Sequence, residues 1–334
     1  MPFRPLFRPG GGSAFYPIKG RNPMKRNRIA LLLSVLLLFA LSACGGGQTA
    51  PTGSGGDVLT IAATTYPVYL FTTAVTDGVD GVEVELVVNQ QTSCLHDYTL
   101  TVNDMKVLER ADVIVLNGAG LEDFMADALA ASDAAVIDCS QGLDLLPAAG
   151  HEGHDHDTEY DPHIWMDPAC VQGMLAAIAT GLSQLVYGDD WASHGEFHTG
   201  QLAAKDQLEQ ARQQWAEQLA PLAGAELITF HDGFQYFAQA FGLDLLKSIE
   251  EEEGSEASAA DIKEIIGLIQ EHRIPAIFTE VNGSDATANA IARETGAEVY
   301  ALDMIMSGEG TGIQPYLDAM QANIDTIIQA LGGK

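Results

Sequence analysis

Nine histidines occur in this 334-residue chain, and three of them fall where a β-rich run of sequence gives out. His96 follows the run 82–88, His163 lies in Asp161-Pro162-His163-Ile164-Trp165, and His231 directly follows 227–230. Asp303 follows the last such run, 298–301. In open α/β sheets ligand sites gather at the carboxyl ends of strands, so these four side chains are candidates for one site. A lone histidine there is more often a hydrogen-bonded core or loop residue. Three on separate elements, with carboxylates near them, point to a metal. Three neutral imidazoles and one carboxylate suit Zn2+, which they would surround at about 2.0–2.2 Å in a tetrahedron. Glu280 ends the run 276–279 and is the substitute ligand if Asp303 does not reach the ion.

The other histidines are weaker signals. His151, His154 and His156 stand among Glu152, Asp155 and Asp157. That stretch reads either as an auxiliary loop that collects metal or as an acidic loop whose histidines are incidental. His194 and His198 have i, i+4 spacing but no His-Glu-x-x-His pattern, and a solvated helix face is expected for them. The acidic run 250–253 reads as a solvated loop.

The elements that must position the candidates are short β-branched runs alternating with longer amphipathic segments, which is the pattern of parallel α/β sheets. Strands are expected over 58–63, 82–88, 112–116 and 134–138, then over 226–229, 244–249, 276–279 and 298–301. Helices are expected over 67–76, 103–110, 121–131, 233–241, 259–271, 285–294 and 315–330. Ser258 and Asp261 form a capping-box pattern for the helix that follows them. Between the halves, Leu208, Ala211, Trp215, Leu219 and Leu222 recur at spacings of three and four, one apolar stripe on a long helix. Begun near Trp191, that helix would run about 45 Å and act as a stiff strut. The expected fold class is α/β, with two lobes, each a four-stranded, mostly parallel sheet flanked by helices, joined by one long rigid helix.

The beginning of the chain reads differently. Lys25, Arg26 and Arg28 precede an apolar run over 29–41 that closes on Leu41-Ser42-Ala43-Cys44. The run is shorter than the roughly 20 residues of a membrane span and has the layout of a signal peptide. Leu-Ser-Ala-Cys resembles a bacterial lipobox, which makes Cys44 the expected lipidation site. Met24 stands just before the basic residues, so the 23 residues ahead of it are read as a spurious extension. The expected division is a leader over 1–43, a lipid-anchored flexible tether over 44–56, a first metal-binding lobe over 57–190, a linking helix over 191–222 and a second metal-binding lobe over 223–334.

Seven of the 16 basic residues and none of the 46 acidic ones precede Cys44, so the chain from there on has nine against 46, a formal −37. Such a field repels nucleic acid and anionic lipid and concentrates cations. Beyond Cys44 only Cys94, Cys139 and Cys170 remain, too few and too irregular for a disulfide framework or a paired-cysteine zinc site.

Several segments together resemble a known family, the cluster A-I solute-binding proteins of metal ABC transporters. They are Leu95-His96-Asp97-Tyr98 followed by Asp104, the stretch 111–122 ending Asn117-Gly118-Ala119-Gly120-Leu121-Glu122, Asp161-Pro162-His163-Ile164-Trp165-Met166-Asp167-Pro168, His231-Asp232-Gly233-Phe234-Gln235-Tyr236-Phe237, and Leu302-Asp303 with Tyr316. The resemblance implies that His96, His163, His231 and Asp303 hold the metal. It also implies two α/β lobes joined by a long helix. The function it implies is that of a monomeric extracytoplasmic lipoprotein, anchored in membrane lipid, that hands its ion to an ABC permease and its ATPase. Manganese-type members usually carry Glu at the third ligand, so His231 favours Zn2+, although some members with the present ligand set accept Mn2+ as well. Zinc-type members often carry a His-rich loop like 151–157. The departure is Thr92-Ser93-Cys94, where many relatives have a Gly- and Pro-containing turn; Cys94 is read as a soft ligand, a disulfide partner or a small buried residue.

Two functions of other classes remain open on the sequence. A zinc hydrolase or lyase would use His96, His163 and His231 with a metal-bound hydroxide and Asp303 or Glu280 as base, and would need an open coordination position. A surface adhesin is compatible with the anchor. A carrier needs neither an open position nor a catalytic group, and its capture of metal weakens in acid because the imidazoles must lose protons to bind.

Overall fold

The computed structural model describes residues 58–89, 95, 98–148, 159–250, 258–283 and 285–332, with 249 and 250 described by backbone alone, so the acidic run beyond Glu250 lies outside the described residues. The leader and tether with Cys44, the segment with Cys94 and His96, and the loop with His151, His154 and His156 lie outside the described residues.

The first half runs β1 (Leu59–Ala63), α1 (Tyr66–Val75), β2 (Val82–Leu86), α2 (Val102–Arg110), β3 (Val113–Leu116), α3 (Ala126–Ala131) and β4 (Ala135–Asp138). Its sheet has the order β2-β1-β3-β4 and every pairing is parallel. The Val-Ile-Val-Leu of β3 is apolar throughout, as a strand covered on both faces must be. The α2 helix starts on a capping box in which Thr101 and Asp104 each satisfy the other's backbone N–H.

Two helices follow, α4 (Pro168–Tyr187) and α5 (Glu196–Leu219). The second half then runs β5 (Glu226–His231), α6 (Gln235–Phe241), β6 (Asp244–Glu250), α7 (Ala259–His272), β7 (Ala276–Glu280), α8 (Ala286–Thr295), β8 (Glu298–Leu302) and α9 (Gln314–Leu331). Its sheet repeats the plan as β6-β5-β7-β8, again all parallel. In both sheets the strand order reverses at the first strand of the half, the place where α/β sheets open a crevice at their carboxyl ends. The capping box expected at Ser258 and Asp261 starts α7.

Three expectations need correction. The α4 helix was not anticipated, although Asp167 at its N-cap, accepting the Ala169 N–H at 2.7 Å, and Pro168 in its first turn are a helix-start signal. The long helix does not begin near Trp191. A 3-10 turn over Gly188–Ser193 and Gly195 at the N-cap delay it to Glu196, leaving 24 residues, about 36 Å. Within 121–131, a 3-10 turn over Asp123–Met125 precedes α3.

The α4 and α5 helices form an antiparallel hairpin, with Gln172 donating to Glu209 at 2.8 Å near one end and Ser183 meeting His198 at 3.4 Å near the other. His194 and His198 are not on a purely solvated face: His194 stacks on Tyr187 with ring centroids 3.8 Å apart, and His198 lies against Trp191. The α5 helix packs on α1 from the first half and on α9 from the second. One apolar core runs through both halves and includes Ile61, Phe71, Trp165, Leu208, Trp215 and Tyr316. A smaller cluster of Ile228, Phe230, Ile265, Ile277 and Ile291 lies under α7 and α8.

Candidate metal centre

His231 is the last residue of β5 and Glu280 the last of β7, so these two neighbouring strands deliver side chains to one end of the second sheet. His163 arrives from the segment between β4 and α4, where it starts a 3-10 turn over Ile164–Met166. Both histidines are buried, at 5% and 2% exposure. Their Nε2 atoms stand 3.2 Å apart and their rings are nearly perpendicular, at 88°.

The opposite edge of each ring faces a carboxylate. Asp161 Oδ1 is 2.8 Å from His163 Nδ1 and also accepts the His163 backbone N–H at 2.9 Å. Glu280 Oε1 is 3.3 Å from His231 Nδ1. A neutral imidazole carries one N–H; in the tautomer that puts this proton on Nδ1 of each ring, which the Asp161 hydrogen bond favours for His163, the Nε2 lone pairs face each other. Two lone pairs at this separation repel unless a positive charge sits between them, either a proton or a cation. Two imidazole nitrogens, each about 2.05 Å from one Zn2+ at a tetrahedral angle, stand about 3.3 Å apart. The observed 3.2 Å therefore fits one shared ion. Carboxylates behind metal-binding histidines are the usual means of fixing tautomer and ring orientation.

The surroundings favour positive charge. Burial opposes protonation of His163, yet the nearby carboxylates, Asp161 foremost and then Asp232 and Glu280, hold its pKa above the ordinary histidine value. Among the described residues, His163, His231 and Asp232 form a group whose ligand atoms all lie within 4.8 Å of one another. Gly233 follows Asp232, and a Cβ there would fall 2.1 Å from Met304 Cε and 2.9 Å from the Cδ2 atom of each histidine. Only glycine lets the backbone approach both rings this closely.

The segment carrying His163 is tied to the first sheet. Asn117, at the end of β3, donates from Nδ2 to the Pro162 carbonyl at 2.9 Å. The turn after Asn117 takes left-handed backbone at Gly118, Ala119 and Gly120. The buried carboxylate of Glu122 gathers it, accepting from the backbone N–H groups of Asn117 and Gly118 and from the Thr64 hydroxyl. Burial pushes Glu122 up to about 7 against the pull of these three donors.

The sequence as a whole matches the family described as ZnuA, zinc-uptake complex component A, periplasmic, over residues 61–330. The chain belongs to the ZnuA family. It is 28% identical over 323 residues to the high-affinity zinc uptake system protein ZnuA of Bacillus subtilis, covering 90% of this chain and 97% of that one. It is 27% identical over 318 residues to the zinc-binding lipoprotein AdcA of Streptococcus pneumoniae. That match covers 90% of this chain but only 60% of the relative's length. The solved structure of the solute-binding protein FpvC from Pseudomonas aeruginosa in complex with Mn2+ is similar at a TM-score of 0.71 and 26% identity, covering 83% of this chain and 99% of that one. The two four-stranded parallel sheets with a long helix between them are thus the ZnuA-family fold.

Within this ZnuA-family chain the expected residues divide. His163 and His231 come together. Asp303 follows β8 but does not enter the 4.8 Å group; its Oδ1 accepts the Ile305 N–H at 2.7 Å. Glu280 lies behind His231, with Oε1 3.3 Å from Nδ1 on the ring edge turned away from His163. His96 lies outside the described residues. Sequence reasoning missed Asp232 as a member of the group and Asp161 as the partner of His163. Their positions, beside one candidate histidine and two residues before the other, were the available signal.

Proposed function

We propose that this chain captures a divalent transition metal ion, Zn2+ in the first instance, and delivers it to the permease of an ABC transporter for import. The observation that carries the reading is the approach of His163 Nε2 and His231 Nε2 to 3.2 Å, with a carboxylate behind each ring. The zinc- and manganese-binding relatives support the choice of cargo. His96 and Asp303 complete a proposed set of four ligands with His163 and His231. Asp232 is the additional carboxylate within reach.

Four protein ligands close the coordination shell, so the proposed role is carriage without catalysis, in keeping with a family of transport components. Asp161 and Glu280 orient the two rings instead of acting as bases. The protein is proposed to work outside the cytoplasmic membrane as a monomer anchored through a lipid on Cys44. The 57–190 and 223–334 portions would form the two metal-binding lobes, the 191–222 portion would link them, and the loop with His151, His154 and His156 would serve as an auxiliary collector. Imidazole-rich sites follow the affinity order that places Zn2+ above Mn2+. Competition between the two ions, followed by elemental analysis of the retained metal, tests the assignment. Retention of zinc against excess manganese is expected, and displacement by manganese at comparable concentration would overturn the choice of Zn2+.

A further inference from the structure

The backbone that presents Asp303 is held by side chains from outside its own loop. Asn323, a buried residue of α9, accepts the Asp303 N–H on Oδ1 at 2.7 Å and donates from Nδ2 to the Asp303 carbonyl at 2.8 Å. One primary amide thus satisfies both backbone polar groups of the same residue. The next carbonyl, of Met304, accepts from Trp165 Nε1 at 2.8 Å, and Trp165 lies two residues beyond His163. Farther along the loop, Glu309 O accepts the Tyr66 hydroxyl at 2.6 Å.

The chain needs this support. Ile305 has φ +59, a left-handed conformation that is an outlier for a β-branched side chain. A residue held there is retained only where its surroundings over-determine it, and such outliers cluster at ligand sites. The Ile305 N–H turns back to Asp303 Oδ1, so the same kink sets the carboxylate's direction.

From this geometry we infer that Asn323 is a positioning residue for metal capture: its paired hydrogen bonds to Asp303 fix the backbone from which that carboxylate is presented. The inference rests on the proposed reading of Asp303 as a ligand. Asn323 itself touches no ion and acts through the backbone of Asp303. The effect expected of such an outer partner is a loss of about 10–100-fold in metal affinity on removal.

A double-mutant cycle tests it, with zinc affinity measured on the full chain by competition against a chromophoric chelator. Asn323→Ala is expected to weaken zinc binding by about 10-fold or more, Asp303→Ala to weaken it further, and the double variant to match Asp303→Ala alone. Asn323→Leu fills the volume without either hydrogen bond and is expected to behave as Asn323→Ala does. Thermal melting without metal reports packing separately. Equal losses from Asn323→Ala with and without the carboxylate would mark a purely structural residue and overturn the inference. Unchanged affinity in Asn323→Ala, with Asp303→Ala impaired, would overturn it and leave the ligand reading standing. Unchanged affinity in Asp303→Ala would remove that reading and the inference with it.

Discussion

His163 and His231 are 68 residues apart in sequence, yet their Nε2 atoms meet at 3.2 Å in a buried setting. Each is expected to supply one bond to the same ion. Replacing either with Ala should weaken Zn2+ binding on the order of 100-fold or more, since it removes one of the four proposed bonds, and four such bonds together are worth about 10–16 kcal/mol at a structural zinc site. Competition titration measures the loss, and a melting transition shows that the fold persists. Wild-type affinity in either variant would remove the proposed site.

Asp161 accepts two hydrogen bonds from His163, from its backbone N–H and its ring. Asp161→Asn keeps the size and one acceptor but removes the negative charge behind the imidazole, lowering its basicity as a ligand. Zinc affinity should fall by about 10–100-fold, with a smaller loss than either histidine replacement gives. Equal affinity in variant and wild type would show that the pair does not tune the site.

Gly233 is constrained by both histidine rings. In Gly233→Ala the new methyl would lie 2.1 Å from Met304 Cε, a flexible end that can turn away, and 2.9 Å from both imidazole edges, which cannot move without opening the pair. Overpacking of this kind costs about 1–3 kcal/mol. The variant should lose metal affinity out of proportion to its loss of metal-free stability, as read by titration and by urea unfolding. A purely global destabilisation would count against close packing at the site.

Glu122 gives the stability of the metal-free protein a pH dependence of unusual sign for a carboxylate. Its folded pKa is raised to about 7 from an ordinary 4.5, so the folded state holds the proton more tightly. The contribution is fully present below 4.5 and is lost as pH rises through that window to about 7, a change on the order of 3 kcal/mol. Glu122→Gln should be flatter across this interval, though less stable overall because an amide nitrogen cannot accept the Gly118 N–H. Urea unfolding at both ends of the window measures the slope; identical slopes would show that Glu122 does not titrate there.

Local sequence determined much of this protein. The alternation of β-branched runs with amphipathic stretches marked all eight described strands, because the central strands β1, β3, β5 and β7 are largely buried and rich in apolar residues, and the edge strands still carry Val, Ile or Leu at their covered positions. The pattern also set His231 and Glu280 at strand ends and marked the cap at Ser258. It failed at α4, whose Asp167-Pro168 start is masked by the neighbouring metal-motif residues, and at the start of α5, where Gly195 outweighs the helical periodicity. The tertiary structure decided what periodicity cannot encode, namely which groups meet across the two sheets. Glu280 stands 3.3 Å behind the His231 ring, Asp232 joined the group, and Asn323 reached back 20 residues to hold Asp303. Such roles depend on side-chain direction over a few ångströms, fixed by packing between distant segments, whereas a strand's burial leaves its mark in its own residues.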